Sequence, residues 1–430
     1  MKLSVDKLKN GLYPALLAAV VISVYFPILG NNFLYYWDDQ WVVMNHYTGS
    51  GFTWRNLWAI LTEFYHGQYA PFNELLYLSL HSLFGYDPFP FHLASLLLHI
   101  ANTCLVYCCF RLLLEINTKI KTENAALVAF LTALIFAVHP FNVESVAWMS
   151  ASKILVYAFY YLAASYSFLL YLKYGKSRYY AFTLALFVFS FLGKEQAVTF
   201  PVWMLLLYWM TGHSFRDKKV WQQAAPFFIL AFVFGILTML SQSDGKSIIS
   251  QRDTYPLWQR FVYACYAFSE YLFKTVFPFK LSYLYPFPSL VGAPLPGWLL
   301  IYPSLIILLA ISFGRSVLSN KVILFSLLFF LIHIAVALHI ISLSRFAVVA
   351  DRYAYIATTG IAFALSFYTV RIFRKKKKYR IVVVILSAVY LLYMGIYANI
   401  RSRVWYDTDS LKKEIRELLK ERDDYEEYKY

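Results

Sequence analysis

Residues 11–39 read GLYPALLAAVVISVYFPILGNNFLYYWDD. The run from Gly11 to Leu29 matches the roughly 20 apolar residues that a helix needs to cross a hydrocarbon core. Two adjacent carboxylates, Asp38 and Asp39, follow it within ten residues. Lys2, Lys7 and Lys9 precede the run and no small-residue cleavage site follows, so it reads as a retained first membrane helix rather than a signal peptide. The rest of the chain has the same character. Of 430 residues 60% are hydrophobic and 15% charged, against about 45–50% and 25% in soluble domains. A chain of this size cannot hide that much apolar surface as a soluble fold. Disorder is excluded as well, because disordered chains are poor in aromatics and this one carries 11 Trp, 37 Tyr and 38 Phe.

The expected fold class is an all-α polytopic membrane protein of about eleven spans: 11–30, 89–114, 125–147, 152–172, 179–193, 197–210, 222–240, 298–313, 322–342, 353–370 and 381–397. Basic residues orient it. Twenty-one Lys and Arg fall in one set of short loops, including Lys119, Lys121 and seven in 371–380, while the opposite short loops and 31–88 hold five, among them Arg345. By the positive-inside rule the N-terminus is inside and the C-terminus outside. The net charge of +15 therefore belongs to loops facing anionic lipid and calls for no nucleic acid. Cys104, Cys108, Cys109 and Cys265 show neither a disulfide framework nor zinc spacing. A membrane domain over 1–400 is expected, with the outer loops 31–88 and 241–297 above its site. A charged helical tail over 401–430 carries Leu411, Ile415, Leu418 and Leu419 at helical spacing and ends in a Tyr/Glu/Lys cluster. Helical patterns at Trp54–Tyr65, Pro71–Phe84 and Leu257–Phe277 suit an interfacial belt.

Carboxylates are scarce in the membrane part, which makes the few present informative. Asp38 and Asp39 repel each other at a membrane surface, which raises at least one pKa and favours a general base or a metal ligand; an ordinary solvated pair is the alternative. His139 and Glu144, Lys153, Lys194 with Glu195, and Asp351-Arg352-Tyr353 lie at other outer turns. Singly, each is read as a snorkelling or capping residue. Together they surround one outer cavity with groups suited to a phosphate or diphosphate, facing a base. That fits transfer from a phospholipid-linked donor to a hydroxyl acceptor. A transporter would carry its ionisable groups near mid-membrane, whereas span centres here hold only histidines such as His99 and His333, read as interhelical hydrogen-bonding residues.

Trp37-Asp38-Asp39, Tyr69-Ala70-Pro71-Phe72-Asn73, Phe84-Gly85-Tyr86-Asp87-Pro88 with Phe91-His92, His139-Pro140 through Trp148, Gly193-Lys194-Glu195 and Asp351-Arg352-Tyr353-Ala354-Tyr355 occur in this order. The set resembles the transmembrane-and-tetratricopeptide-repeat protein O-mannosyltransferases and their bacterial relatives, of the GT-C glycosyltransferase fold. The resemblance implies a polyprenyl-phosphate-linked sugar donor, a protein acceptor and an extracytoplasmic active site. It implies Asp38 as base with Asp39 assisting, and donor-phosphate contacts from Lys194, Lys153 and Arg352, with His139 beside them. Glu144, Glu195, Asp351, Tyr353 and His66 are supporting or substrate-binding positions. Two departures stand out. Relatives show Tyr-Arg-Pro where this chain has Tyr69-Ala70-Pro71. No 34-residue repeat follows Trp405 to Leu419, so a separate acceptor-selecting protein is expected and a bacterial plasma membrane is favoured over the endoplasmic reticulum. No resident cofactor is expected, and a divalent metal at Asp38 and Asp39 is not favoured. The rival readings are a lipid or glycan acceptor, and a flippase for lipid-linked sugars.

Overall fold

In hydrocarbon every backbone N–H and C=O must be satisfied within the chain, so apolar runs of this length fold as helices. The computed structural model describes residues 2–117, 124–244, 255–340 and 347–420. Among them the chain is helical without β-strands, and two isolated bridges pair Tyr65 with Gln68 and Tyr285 with Val349. Lys119, Lys121, Arg345 and the closing Tyr/Glu/Lys cluster lie outside the described residues. After α1 (Lys2–Tyr25) come four short helices, α2 (Asp39–Val42), α3 (His46–Gly49), α4 (Trp54–Thr62) and α5 (Pro71–Phe84). The bundle continues with α6 (Pro88–Ile116), α7 (Ala125–Val138), the short α8 (Asn142–Ala147), α9 (Lys153–Tyr174), α10 (Ser177–Gly193), α11 (Phe200–Thr211) and α12 (Lys218–Asp244). It closes with α13 (Leu257–Val276), α14 (Ile301–Ser319), α15 (Lys321–Ile334), α16 (Thr358–Lys375), α17 (Arg380–Ser402) and α18 (Thr408–Lys420).

Six stretches among the described residues are long and apolar enough to cross a bilayer: Gly11–Gly30, Pro88–Ile116, Met149–Tyr174, Lys218–Gln242, Gly297–Ser319 and Lys377–Trp405. The chain is a multi-pass membrane protein. Several expected spans have different bounds, three of them most clearly. The third, 125–147, breaks into α7 and α8, because the Pro140 ring cannot continue a helix and lacks an N–H; His139 caps α7 instead. The ninth, 322–342, ends its α-helix at Ile334 and passes into a 3-10 turn, Ala335–Ala337. The tenth, 353–370, starts only at Thr358, after a 3-10 turn at Asp351–Ala354.

Lipid tails are as apolar as leucine, so helices in a membrane associate through close packing and interhelical hydrogen bonds. Gly193 lets α10 lie against α9: a Cβ there would sit 2.9 Å from both the Cα and the backbone N of Tyr157. Gly360 does the same for α16 on α15, where a Cβ would meet the Ser326 carbonyl at 2.7 Å. α6 begins at Asp87-Pro88, where the Asp87 carboxylate accepts from Phe89 N at 3.0 Å and the proline fits the first helical turn. His92, Ser95, His99, Asn102 and Thr103 recur along one face of α6, and all are buried. His99 Nδ1 meets Tyr355 Oη at 2.7 Å and its Nε2 meets the Ala137 carbonyl at 3.2 Å, so this histidine does link helices. His333 does not: its Nδ1 bonds the Phe329 carbonyl of its own helix at 2.8 Å, and its ring stacks on Phe329. α17 runs back to Trp405, which stacks on Trp148 with centroids 5.3 Å apart. The tail helix α18 buries Leu411 and Leu419 and pairs its Glu414 with Arg401 at 2.5 Å.

Candidate active site

Asp38 and Asp39 share a loop but have opposite surroundings. Asp39 is buried. Its Oδ1 accepts from Ser150 N at 2.9 Å and Ser150 Oγ at 2.5 Å, and its Oδ2 accepts from Leu34 N at 2.9 Å. Burial pushes this carboxyl up to about 6, against the pull of those bonds. Asp39 thus ties its loop to the turn Met149–Ala151. Asp38 is half-buried and accepts from Trp41 Nε1 at 3.3 Å through Oδ1. Burial raises its pKa, while the Trp41 bond and the charges of Arg352 and Lys153 pull it back. Two cations from separate elements therefore act on one carboxylate that keeps an oxygen without a protein partner among the described residues. Tyr36, two residues earlier, has φ +59°, a left-handed conformation that costs a side-chain-bearing residue about 1–2 kcal/mol. The bond from Tyr36 N to Gln40 Oε1, 3.1 Å, helps to hold it.

The cations come from three turns. Arg352 pairs with Glu144 of α8, and its backbone N donates to Glu144 Oε2 at 2.9 Å. Its guanidinium lies 5.4 Å from the Trp148 ring and 5.0 Å from the Tyr353 ring. Burial alone would favour losing the proton, but the Glu144 charge outweighs it and raises the Arg352 pKa. Lys194 is only 3% exposed; its Nζ is 3.5 Å from Glu195 Oε1 and 5.4 Å from the centre of the Tyr353 ring. For Glu195 burial acts upward, yet Lys194 and Lys153 together bring its pKa below the usual carboxylate value. Lys153, the first residue of α9, donates to Gln68 Oε1. Gln68 is presented by a two-residue turn: Tyr65 and Gln68 exchange backbone bonds of 3.0 Å around His66 (φ +48°) and Gly67 (φ +73°). Tight hairpin turns with positive φ at both central positions have this form.

These groups border one cleft of about 190 Å³, lined by His66, Gln68, Lys153, Lys194, Glu195 and Tyr353, with Thr238 and Ser241 of α12 as a wall. Five of the residues expected from sequence therefore meet in one hollow, with Asp38 and Arg352 in electrostatic contact with it through Lys153. Four further expected members do not line it: Asp39, tied to Ser150 and Leu34, Glu144, paired with Arg352, and His139 and Asp351. His139 is buried, with Nδ1 accepting from Phe141 N at 3.2 Å, which leaves the proton on Nε2 to reach the Thr275 carbonyl at 3.0 Å. Burial lowers its pKa to about 4, so it is a neutral brace between α7 and α13 with no nitrogen left for a phosphate. Asp351 is buried too and accepts from Tyr285 Oη at 2.8 Å; burial, with Glu144 adding to it, raises its pKa. It braces the turn that carries Arg352. Glu144, whose role the sequence leaves open, is the counter-ion of Arg352. Gln68, Ser150, Trp148 and Tyr283 are the residues that sequence reading misses. Tyr283 packs on Trp37, Trp148 and Trp405 with centroids 5.8, 5.5 and 5.5 Å away, joining the 241–297 segment to the aspartate loop. Only its place in a Tyr/Pro-rich coil hints at this.

A segment of 143 residues is 32% identical to Protein O-mannosyl-transferase TMTC1 of Homo sapiens, covering 31% of this chain and 15% of that protein. The Mus musculus protein of the same name is 32% identical over 151 residues, 32% of this chain and 15% of its own length. The chain thus spans about 15% of the length of the curated relatives that it matches. No family model matches. The likeness is distant and partial.

Proposed function

We propose that this protein is a GT-C-like glycosyltransferase with eleven membrane crossings, N-terminus inside. On this reading it moves a sugar from a polyprenyl-phosphate donor to a Ser or Thr hydroxyl of a protein at the extracytoplasmic face. The observation that carries the reading is the single neighbourhood formed by Asp38, Lys153 and Arg352, beside the cleft that Lys153 and Lys194 line. Asp38 takes the proton of the acceptor hydroxyl as its oxygen attacks the anomeric carbon. The bond from that carbon to the phosphate oxygen breaks, and its electron pair leaves on the lipid phosphate, which gains negative charge. Lys153 and Lys194 meet that charge, with Arg352 behind them, in a setting of apolar walls where each cation counts for more than in water. Attack opposite the leaving group inverts the anomeric centre.

Lys153 makes no ion pair among the described residues. Lys194 and Arg352 are already balanced by Glu195 and Glu144, so the charge budget of the cleft suits one added phosphate. A groove of about 370 Å³ between α5, α6 and α9, lined by Phe72, Val156, Phe159 and Tyr160, begins one turn below Lys153. We assign it to the polyprenyl chain. Asp39 spends both oxygens on N–H and O–H donors, which favours a metal-independent reaction. The acceptor would be chosen with the help of a separate protein, in a bacterial plasma membrane or an endoplasmic reticulum.

Reconstitution with radiolabelled polyprenyl-phosphate mannose and a Ser/Thr-rich peptide tests this directly. Labelled peptide that persists in chelator is the expected product. Label appearing only in lipid would shift the acceptor class. Label that crosses the bilayer without any transfer would make the protein a flippase.

A further inference from the structure

The end of the bundle away from the cleft carries a second constellation. α16 ends and α17 begins in the run Arg371-Ile372-Phe373-Arg374-Lys375-Lys376-Lys377-Lys378-Tyr379-Arg380. At 1.5 Å per residue, Lys375 lies about 27 Å along α16 from the turn that holds Arg352. Seven cations gather here, and no Asp or Glu occurs anywhere from Tyr353 to Tyr406. Among the described residues none of the seven forms an ion pair. Six are exposed. Arg380 folds back, donating from Nε to the Phe373 carbonyl at 3.0 Å with its guanidinium 5.5 Å from the Phe373 ring. Like charges packed this closely favour an anion from outside the chain.

Directly along the bundle from this run, α7, α16 and α17 leave a groove of about 310 Å³ that reaches Val276 and Phe277. Its near walls, Thr369 and Leu386, stand six residues from Lys375 and Arg380, about 9 Å of helix. The lining is mainly aliphatic, with Leu131, Ile135, Leu365 and Leu391 among it. Ser366 also lines it; this side chain is 1% exposed and its Oγ has no partner. The flanking residues Val382, Ile385 and Val389 of α17 are exposed, as a face turned to lipid would be.

We infer that the run 371–380 and the groove above it form one binding site for an anionic phospholipid. An acyl chain fills the groove, the Ser366 hydroxyl donates to an ester carbonyl, and the phosphate rests among Arg374 and Lys375 to Lys378. A free anion would leave the groove unfilled, and a zwitterionic lipid would leave the cations uncompensated. Juxtamembrane clusters of four to eight Lys and Arg attract acidic lipids in general; the adjoining groove adds a seat for one molecule. The site is independent of the transferase reading.

Native mass spectrometry on the full chain, released from nanodiscs containing phosphatidylglycerol or phosphatidylcholine, tests it. One phosphatidylglycerol is expected to stay bound, with phosphatidylcholine held at least ~10-fold more weakly. K375Q/K376Q/K377Q/K378Q should lose that preference. Ser387→Leu, which fills the groove and keeps every charge, should lose the bound lipid. Equal retention of both lipids by the unaltered protein would overturn the proposal, as would full phosphatidylglycerol binding by Ser387→Leu. If Ser387→Leu does not fold, washing the unaltered protein in 0.5 M salt decides instead: a seated lipid remains, and its complete loss reduces the effect to diffuse attraction, against the proposal.

Discussion

At the cleft end of the bundle Arg352 sits against Glu144 between two aromatic rings and Lys194 is almost wholly enclosed, whereas at the other end Lys375 to Lys378 stand exposed and unpaired. The residue types are the same. What differs is desolvation: a charge removed from water must be paired and hydrogen-bonded, so Arg352 takes Glu144 from a distant element and Lys194 takes its neighbour Glu195. An exposed run specifies no partner within the chain. Isolated charges in apolar flanks therefore carry structural information that a longer, more conspicuous cluster lacks.

The sharpest way to break this contrast is Asp38→Asn. Transfer should fall about 10²–10⁴-fold, the usual span for a general base, while detergent melting stays unchanged; undiminished turnover would remove Asp38 from the mechanism. Next comes Glu144→Gln, which strands Arg352. A loss of about 3 kcal/mol is expected, read as a lower melting temperature together with lost activity. An unchanged melt would mean that Arg352 finds water more easily than its surroundings indicate. Gly193→Ala should cost about 1–3 kcal/mol by overpacking α10 on α9, and should weaken donor binding because Lys194 is the next residue. Smaller still is the effect of Lys153→Gln on pH dependence. Lys153 lowers the Asp38 pKa, so removing its charge raises that pKa, and the acid limb of kcat/KM should move to higher pH. A limb that stays in place would uncouple the two residues. Least of all, K375Q/K376Q/K377Q/K378Q should shift melting in neutral detergent by no more than about 0.5 kcal/mol, since exposed charges contribute little.

Much of the fold was legible because apolar length and punctuation act locally. Asp87-Pro88 announces the start of α6, and the spacing of Leu411, Ile415 and Leu419 announces α18. The end of α7 was harder to read, since His139-Pro140 lies inside an apolar stretch whose average hides one proline. Of the site, Lys153, Lys194, Glu195 and Tyr353 could be gathered from the idea that scarce polar groups at one face share a hollow, while His66 came only with the family resemblance. Their pairings could not. Arg352 and Glu144 are 208 residues apart, and nothing local distinguishes them from any other acid and base. Nor does sequence separate Asp38 from Asp39: their division of labour depends on which oxygen Ser150 and Leu34 reach. His139 misled because a histidine beside a cluster of charges resembles a ligand, while its ring is consumed by two backbone groups.

The polar face of α6 has a consequence for how the chain is made. Tyr355, whose hydroxyl donates to His99 Nδ1 and accepts from Asn102 Nδ2, leaves the ribosome some 250 residues after them. The Ala137 and Leu155 carbonyls reach His99 Nε2 and Asn102 Nδ2 much earlier, but His99 Nδ1 waits for its donor throughout that interval, because lipid offers it none. This face of α6 is therefore completed only when the turn before α16 arrives.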